Sequence, residues 1–334
     1  MTSTSLAEVA SVLQEARRVL IVTHVAPDGD AIGSLLGVGW LLRSGRTLTL
    51  ACADSVPVQL RSLPGAGEIV ADPPAKTWDA VLALDASDTR RLGSPFRPAE
   101  YGSTPVINLD HHITNLFYGS LNYVDPSAAA TAQIVVALHD AMGAPITREA
   151  AVCLLTGLVT DTLSFRTSNV TPSVMATAMR LMECGANLAE ITERSLNHKP
   201  LNIMRLWGLT LSDLCLQGQV LWVRVTQDMR AKAGAPPDGD GSLVSYLINA
   251  PEAKVAAVFS EAVNGEIEIG IRARPGYDVS GLALSLGGGG HPQAAGCTIP
   301  GPLKAAEARV LPLLIAAAAM GAGNGTSQRD PQPK

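Results

Sequence analysis

Four apolar segments of this sequence end in aspartate or histidine. They are Thr23-His24-Val25-Ala26-Pro27-Asp28-Gly29-Asp30, Val81-Leu82-Ala83-Leu84-Asp85, Val106-Ile107-Asn108-Leu109-Asp110-His111-His112 and Gly157-Leu158-Val159-Thr160-Asp161-Thr162. Carboxylates gathered in one place repel each other unless cations lie between them. Oxygen donors mixed with a few imidazoles suit divalent ions of the manganese or magnesium kind better than thiolate-bound zinc. Two such ions about 3.5–4 Å apart can polarise a phosphoryl group and generate a hydroxide nucleophile. The residues therefore imply metal first and phosphoryl chemistry second. A lone aspartate after a strand is more often a cap or turn residue, and Asp88 and Asp125 fit that description. His139 and His198 likewise read as structural. Four such endings, two of them with histidine and aspartate together, point to a site instead.

The elements that must carry these residues alternate between strand and helix. A Ser5-x-x-Glu8 capping box opens a first helix through about Arg17. Residues 19–23, 47–52, 80–84 and 106–109 read as short buried strands, and 31–42 as a helix stopped by Gly45. This pattern predicts an α/β domain with a mostly parallel sheet. Ligands of open α/β sheets sit beyond the carboxyl ends of the strands, so three of the four clusters share one edge. The fourth lies at the end of a helix covering 150–160 and must be brought in by the fold. Further helices are expected over 128–142 and after Thr171-Pro172.

The polar stretch 195–200 reads as a connection, and a second α/β domain opens near Asn202. There we expect strands over 220–225, 255–260, 266–274 and 297–299, helices over 242–249 and 282–286, and a loop over 287–290. The expected organisation is a catalytic domain over 1–192, a linker over 193–203, a smaller substrate-binding domain over 204–320, and a disordered tail over 321–334.

Composition narrows the partners. The 334 residues are 47% apolar, 16% charged and 4% aromatic, with a formal net charge of −5. A grip on long duplexes by phosphate neutralisation calls for a basic protein, so any nucleic-acid substrate should be short or locally held. The five cysteines are scattered, which predicts reduced thiols, a cytoplasmic location and no zinc–cysteine site. The opening residues lack a signal-peptide pattern, and the apolar run 310–320 is too short to span a bilayer, so no membrane is expected.

His24-x-x-x-Asp28-x-Asp30-x-x-Gly33-Ser34, then Asp85, Asp110-His111-His112 and Asp161, resembles the ordered motifs of the DHH phosphoesterases. Gly287-Gly288-Gly289-Gly290-His291 with Ala294-Ala295-Gly296 resembles the signature of their DHHA1 companion domain. The resemblance covers roughly residues 15 to 300. It implies that His24, Asp28 and Asp85 hold one metal ion, and that Asp30, Asp85, His111 and Asp161 hold a second, with Asp85 bridging. Asp110 would orient His111 or its loop, and His112 would face the scissile phosphate. Manganese is the metal so implied, with magnesium or cobalt as alternatives. A homodimer is implied as well, with substrate in the cleft between the domains.

Four consecutive glycines can bring backbone N–H groups close to an anion, although a flexible surface loop is the commoner meaning of such a run. In residues 266–274 the strand period places Ile267, Ile269 and Ile271 on a core face and Arg272 and Arg274 on the other. The resemblance makes Arg272, and after it Arg274, the grip on a nucleotide phosphate, with Gly288, Gly289, Gly290 and His291 around the base or sugar. The expected activity is metal-dependent hydrolysis of short oligoribonucleotides, linear or cyclic dinucleotides, or 3′-phosphoadenosine 5′-phosphate. A single-stranded DNA exonuclease, a pyrophosphatase and a catalytically silent nucleotide sensor are the alternatives.

Overall fold

The computed structural model describes residues 4–74, 77–237 and 239–320. The chain divides into two compact units, Met1–His198 and Lys199–Lys334. The tail expected over 321–334 lies outside the described residues.

The first unit runs α1 (Leu6–Glu15), β1 (Arg18–Val22), α2 (Gly29–Leu42), β2 (Thr47–Ala51), β3 (Ala80–Leu84), β4 (Val106–Asp110), β5 (Leu121–Val124), α3 (Thr131–Ala141), α4 (Arg148–Asp161), α5 (Pro172–Glu183) and α6 (Leu188–Thr192). Ser5 and Glu8 form the capping box read from the sequence. All strand pairs are parallel, in the order β2-β1-β3-β4-β5. Alternate residues serve opposite faces. Val19 and Ile21 join a large core with α1 through α5, while Leu20 and Val22 join a smaller one with Trp78, Leu92 and Tyr101. A sheet covered on both faces explains why its strands read as continuous apolar runs. β5 escaped the sequence reading because Asn122 interrupts its short apolar pattern. The helix expected over 128–142 starts later, at Thr131, because residues 125–130 form a turn instead.

One contact brings the fourth acidic cluster to the sheet. Gly29, Gly33 and Gly37 recur every fourth residue along α2, so they share a face. A Cβ at Gly33 would stand 2.5 Å from the Cys153 carbonyl oxygen and 2.9 Å from the Gly157 nitrogen. A Cβ at Gly29 would meet the Thr160 side chain, and one at Gly157 would meet Asp30. Only bare backbone lets α2 and α4 approach this closely, and the approach carries Asp161 at the end of α4 toward Asp30.

The second unit runs α7 (Leu201–Leu211), β6 (Cys215–Gln217), β7 (Val220–Val225), α8 (Gln227–Ala233), α9 (Leu243–Leu247), β8 (Val255–Glu261), β9 (Glu266–Ala273), α10 (Ser280–Ser285), β10 (Gly289–His291), β11 (Ala294–Pro300) and α11 (Leu303–Met320). Its mixed sheet has the order β10-β11-β9-β8-β7-β6, with β7 and β8 parallel and the other pairs antiparallel. Ile267, Ile269 and Ile271 pack into a core with α11, and the opposite face packs against α7, α8 and α9. No helix among the described residues is long and apolar enough to cross a membrane.

Two expectations are corrected here. Residues 287–290 are not simply a loop, because Gly289 and Gly290 pair with Gly296 and Ala295 in a hairpin. A Cβ at Gly288 would collide with the Gly296 carbonyl oxygen, and Gly290 has φ +136°. Close approach of β11 is thus enough to require two of the four glycines. The final strand also extends well beyond 297–299, over the whole of β11.

Asp79, just ahead of β3, accepts hydrogen bonds from the backbone of Arg17 and Arg18 and from the Arg18 guanidinium at 2.8–2.9 Å. These bonds hold its carboxyl down to about 2. A depressed carboxylate stabilises the fold above its unfolded value and loses that contribution as pH falls through its folded one. Stability should therefore decline between about pH 4 and 2, and Asp79→Asn should flatten that limb in acid titrations followed by circular dichroism. For the helix contact, Gly33→Ala should cost ~1–3 kcal/mol, because it strikes backbone. Gly37→Ala strikes only the movable Leu154 side chain and should stay within about 1 kcal/mol, helped by helix propensity. Equal urea midpoints for the two variants would refute this account.

Candidate metal centre

The strand order turns back on itself between β1 and β3, and a crevice opens beyond the carboxyl ends of strands at such a point. His24 lies two residues past β1, Asp85 directly follows β3, and Asp110 ends β4. Asp28 caps α2, accepting from the backbone of Asp30 and Ala31 at 3.0 Å. His24, Asp30, Asp85, Asp110 and His111 are all buried. The structure brings together every residue that the sequence placed in the metal set.

Asp85 is the centre of the group. Its Oδ2 faces His24 Nε2 at 3.5 Å, and its Oδ1 faces His111 Nε2 at 3.6 Å and His112 Nδ1 at 3.7 Å. His24 Nε2 also lies 3.9 Å from Asp28, and His111 Nε2 lies 3.5 Å from Asp161. Three sets of donors lie within 4.8 Å of one another: His24, Asp28 and Asp85; Asp30, His111 and Asp161; Asp85, His111 and His112. These separations are long for hydrogen bonds. Donors about 2.0–2.2 Å from a shared ion stand roughly 3–3.5 Å apart, so the spacing fits a cation between them.

The ring tautomers agree. His24 Nδ1 lies 2.8 Å from the Val25 carbonyl and His111 Nδ1 lies 3.3 Å from the Ala128 carbonyl. A carbonyl only accepts, so each Nδ1 carries a proton, and each Nε2 faces the carboxylate oxygens, as a donor when the ring is protonated and as a lone pair for a cation when it is neutral. Carboxylates this close together in a buried site require positive charge among them, from protonated rings or from a bound cation. The ionisation equilibria carry the same strain. Burial, then repulsion from Asp85, raises Asp30 to about 7. Burial, then Asp30, Asp28 and Asp85, pushes Asp161 well up. Burial would also raise Asp85, but the three surrounding histidines outweigh it and hold its carboxyl far below the usual range. Without metal, burial and mutual repulsion oppose ionisation of Asp30 and Asp161 beside Asp85, and divalent cations would relieve the conflict.

Around this group lies a second set of contacts. Asp110 Oδ1 accepts from the backbone of His111 at 2.8 Å and His112 at 3.2 Å, and from His112 Nδ1 at 2.7 Å. Its Oδ2 accepts from Asn115 at 2.6 Å, and Asn108 in turn donates to Asn115. Asp110 thus fixes the ring and backbone of His112 rather than joining the metal donors.

Sequence reasoning missed Thr131. Its hydroxyl donates to Asp85 Oδ1 at 3.0 Å, and its backbone N–H donates to Asp30 Oδ2 at 2.6 Å. Ala132 N–H and Ser34 add bonds to Asp30 Oδ1 at 2.9 and 3.1 Å. Ala130 gives α3 no side-chain cap, so Asp30 caps that helix from α2, with its charge at the positive helix end. The three residues Ala128-Ala129-Ala130 before it gave the sequence no signal of this role.

The candidate substrate residues lie in the second unit. Arg272 shares the β9 face of Gly270, and its one described side-chain hydrogen bond runs to the Ile271 carbonyl at 3.0 Å. Burial lowers its pKa, with Asp240 partly offsetting. Arg274 donates to the Ala250 carbonyl at 2.9 Å and the Ile248 carbonyl at 3.5 Å, so it ties down the end of α9. Gly288, Gly289, Gly290 and His291 sit in the β10–β11 hairpin.

Residues 18–158 match the DHH family, N-terminal domain, and residues 217–318 match the DHHA1 domain. The chain is 41% identical over 300 residues to the bifunctional oligoribonuclease and PAP phosphatase NrnA of Thermus thermophilus, covering 88% of both chains. Among solved structures, an exopolyphosphatase-related protein from Bacteroides fragilis superposes with a TM-score of 0.85 at 24% identity, covering 93% of this chain and 95% of that one. RecJ of Thermus thermophilus in complex with Mn2+ shares the fold more distantly, with a TM-score of 0.51 and 16% identity over 94% of this chain and 54% of that one.

Replacing Thr131 by the equally shaped valine removes one hydrogen bond from Asp85. Thr131→Val should weaken Mn2+ binding by about ten-fold or more, as loss of a group behind a metal ligand does, and Thr131→Ser should restore it. Calorimetric titration with Mn2+ reads the effect, and unchanged affinity would remove Thr131 from the site.

Proposed function

The chain belongs to the DHH family, and from that premise we propose that it hydrolyses short oligoribonucleotides, dinucleotides and 3′-phosphoadenosine 5′-phosphate. It is a metal-dependent phosphoesterase. The observation that carries this reading is Asp85, buried between three imidazoles, with one oxygen turned to His24 and the other to His111 and His112. The substrate range rests on the likeness to the Thermus oligoribonuclease and PAP phosphatase.

His24, Asp28 and Asp85 Oδ2 form one candidate donor set, and Asp30, Asp85 Oδ1, His111 and Asp161 the other. Divalent ions held there, in our reading two and of manganese, with magnesium or cobalt as substitutes, would polarise the phosphoryl oxygens and supply an activated water. The protein's own part is to hold these donors in place before substrate arrives. Asp110 holds the His112 ring through Nδ1, and we assign its Nε2 to a phosphate oxygen or the departing oxygen. The nearby carboxylate also stabilises the protonated ring that such donation needs. On the second unit, Arg272 is the candidate cation for a substrate phosphate, and Arg274 serves the fold.

The purified full chain should release mononucleotides from a 5-mer RNA and phosphate from 3′-phosphoadenosine 5′-phosphate when Mn2+ is added, and neither in chelator. Absence of turnover with every divalent metal would defeat the reading. Asp85→Asn should abolish turnover with the circular dichroism spectrum intact. Arg272→Ala should raise KM for a dinucleotide by about ten-fold or more, the usual range for losing a charged hydrogen bond, with a smaller change in kcat. Arg274→Ala should act mainly on thermal stability.

A further inference from the structure

The chain has four Trp, five Tyr and four Phe. Among these rings Tyr246 is the one left exposed, at 57%. A single exposed ring is ordinary, but this one has specific surroundings. Its ring lies against Trp207, with centroids 5.5 Å apart and planes tilted by 35°. Trp207 Nε1 donates to the Asp240 carbonyl at 2.6 Å. Asp240 Oδ1 accepts from the backbone of Ser242 and Leu243, anchoring the start of α9. Gly241 has φ +69°, and a Cβ there would stand 3.6 Å from both the Lys199 stem and Trp207 Nε1. The ring pair is therefore held from below by backbone, beside a lysine.

The sheet register ties these rings to Arg272. Arg272 pairs with Ala256 across β8 and β9, and paired residues share a face. Ala256 belongs to the core that contains Leu206 of α7 and Leu243, Val244 and Leu247 of α9. Val244 packs 3.6 Å from the Cβ position of Gly270, one step along the same face from Arg272. Trp207 of α7, Tyr246 of α9 and Arg272 of β9 thus lie on one side of the second unit's sheet. Asp240 is close enough to act electrostatically on both Lys199 and Arg272.

We propose that Tyr246, backed by Trp207, is a nucleobase-stacking platform that works with Arg272 as the phosphate contact, giving the second unit a binding site for a nucleoside monophosphate moiety. This rests on the nucleotide reading above and names what distinguishes a nucleotide from a bare phosphate. A ring accepts any base on its face, so the site selects for the presence of a base rather than its identity. The guanidinium supplies the charge-assisted contact that fixes the other end.

The test is equilibrium binding by the full chain in Mn2+, comparing 5′-AMP, ribose 5-phosphate and inorganic phosphate. AMP should bind about ten-fold or more tightly than ribose 5-phosphate, the usual worth of one stacked base, and should quench tryptophan fluorescence. Tyr246→Ala should erase that advantage while leaving ribose 5-phosphate binding unchanged, and Tyr246→Phe should keep it. Trp207→Phe should remove the quench. Equal affinities for AMP and ribose 5-phosphate, no AMP binding, or an advantage that survives Tyr246→Ala overturns the platform. None of these readings requires turnover, so an inactive chain that stacks AMP and an active chain that does not are separate outcomes.

Discussion

Repulsion among buried carboxylates governs the first unit. Asp30 and Asp85 are almost wholly enclosed, and the half-buried Asp161 and the exposed Asp28 complete the same cluster. Burial and mutual charge both oppose ionisation, yet three imidazoles keep Asp85 an anion. Asp85 also sits at φ +59°, a backbone region that costs a residue with a Cβ of order 1 kcal/mol. Such a site is a local instability in the metal-free chain, and the rest of the fold must hold it shut. It does so with bonds that tolerate negative charge. The α3 N-terminus faces Asp30 with two N–H groups, and Asp85 takes the Thr131 hydroxyl. The same group that repels its neighbours therefore stabilises a helix end. A bound cation would add stability in proportion to its affinity.

That constraint explains the packing of α2 on α4. Asp28 and Asp85 come from the segments that follow β1 and β3, and Asp30 from the first turn of α2, all of which one sheet edge collects without special effort. Asp161 comes from a helix, and it arrives only because glycine occupies the α2 face at Gly29, Gly33 and Gly37. Directly after it, Leu163, Ser164 and Phe165 all have positive φ. Consecutive left-handed residues outside glycine are costly, and Thr162 supports this turn with its hydroxyl, which accepts from the Phe165 N–H, and with its carbonyl, which accepts from the Arg166 N–H. The chain thus tolerates strain on both sides of the metal donors, at Asp85 and after Asp161.

The strand-end acids were legible in the sequence because buried parallel strands are short apolar runs with abrupt polar ends. His24, Asp85, Asp110 and His111 each stand within two residues of such an end. Thr131 was not legible, because a threonine after three alanines carries no periodic or motif signal, and its partners Asp30 and Asp85 are 101 and 46 residues away. The glycine run was legible as a feature but ambiguous in cause. The sequence shows that glycine is present there, whereas only the β10–β11 pairing shows how much of the requirement is local. In the second unit, α7 and α8 were missed because both adjoin stretches whose polar residues resemble connections.

Arginines separate by their partners rather than by their position in a pattern. Alternation along β9 made Arg272 and Arg274 equivalent, but their guanidinium groups meet different surroundings. Arg274 is occupied by the carbonyls that end α9. Elsewhere in the same unit, Arg224 lies against Glu307 and Asp213 at 2.5 and 2.8 Å, which hold it firmly charged and raise its pKa. Arg272 has neither arrangement. No carboxylate comes within ion-pair distance among the described residues, and burial works against its charge. A guanidinium kept in that condition stores unfavourable desolvation that an incoming anion can relieve. It is the arginine of the three whose surroundings become more favourable when a phosphate arrives, and that difference ranks it above its neighbour as a ligand contact.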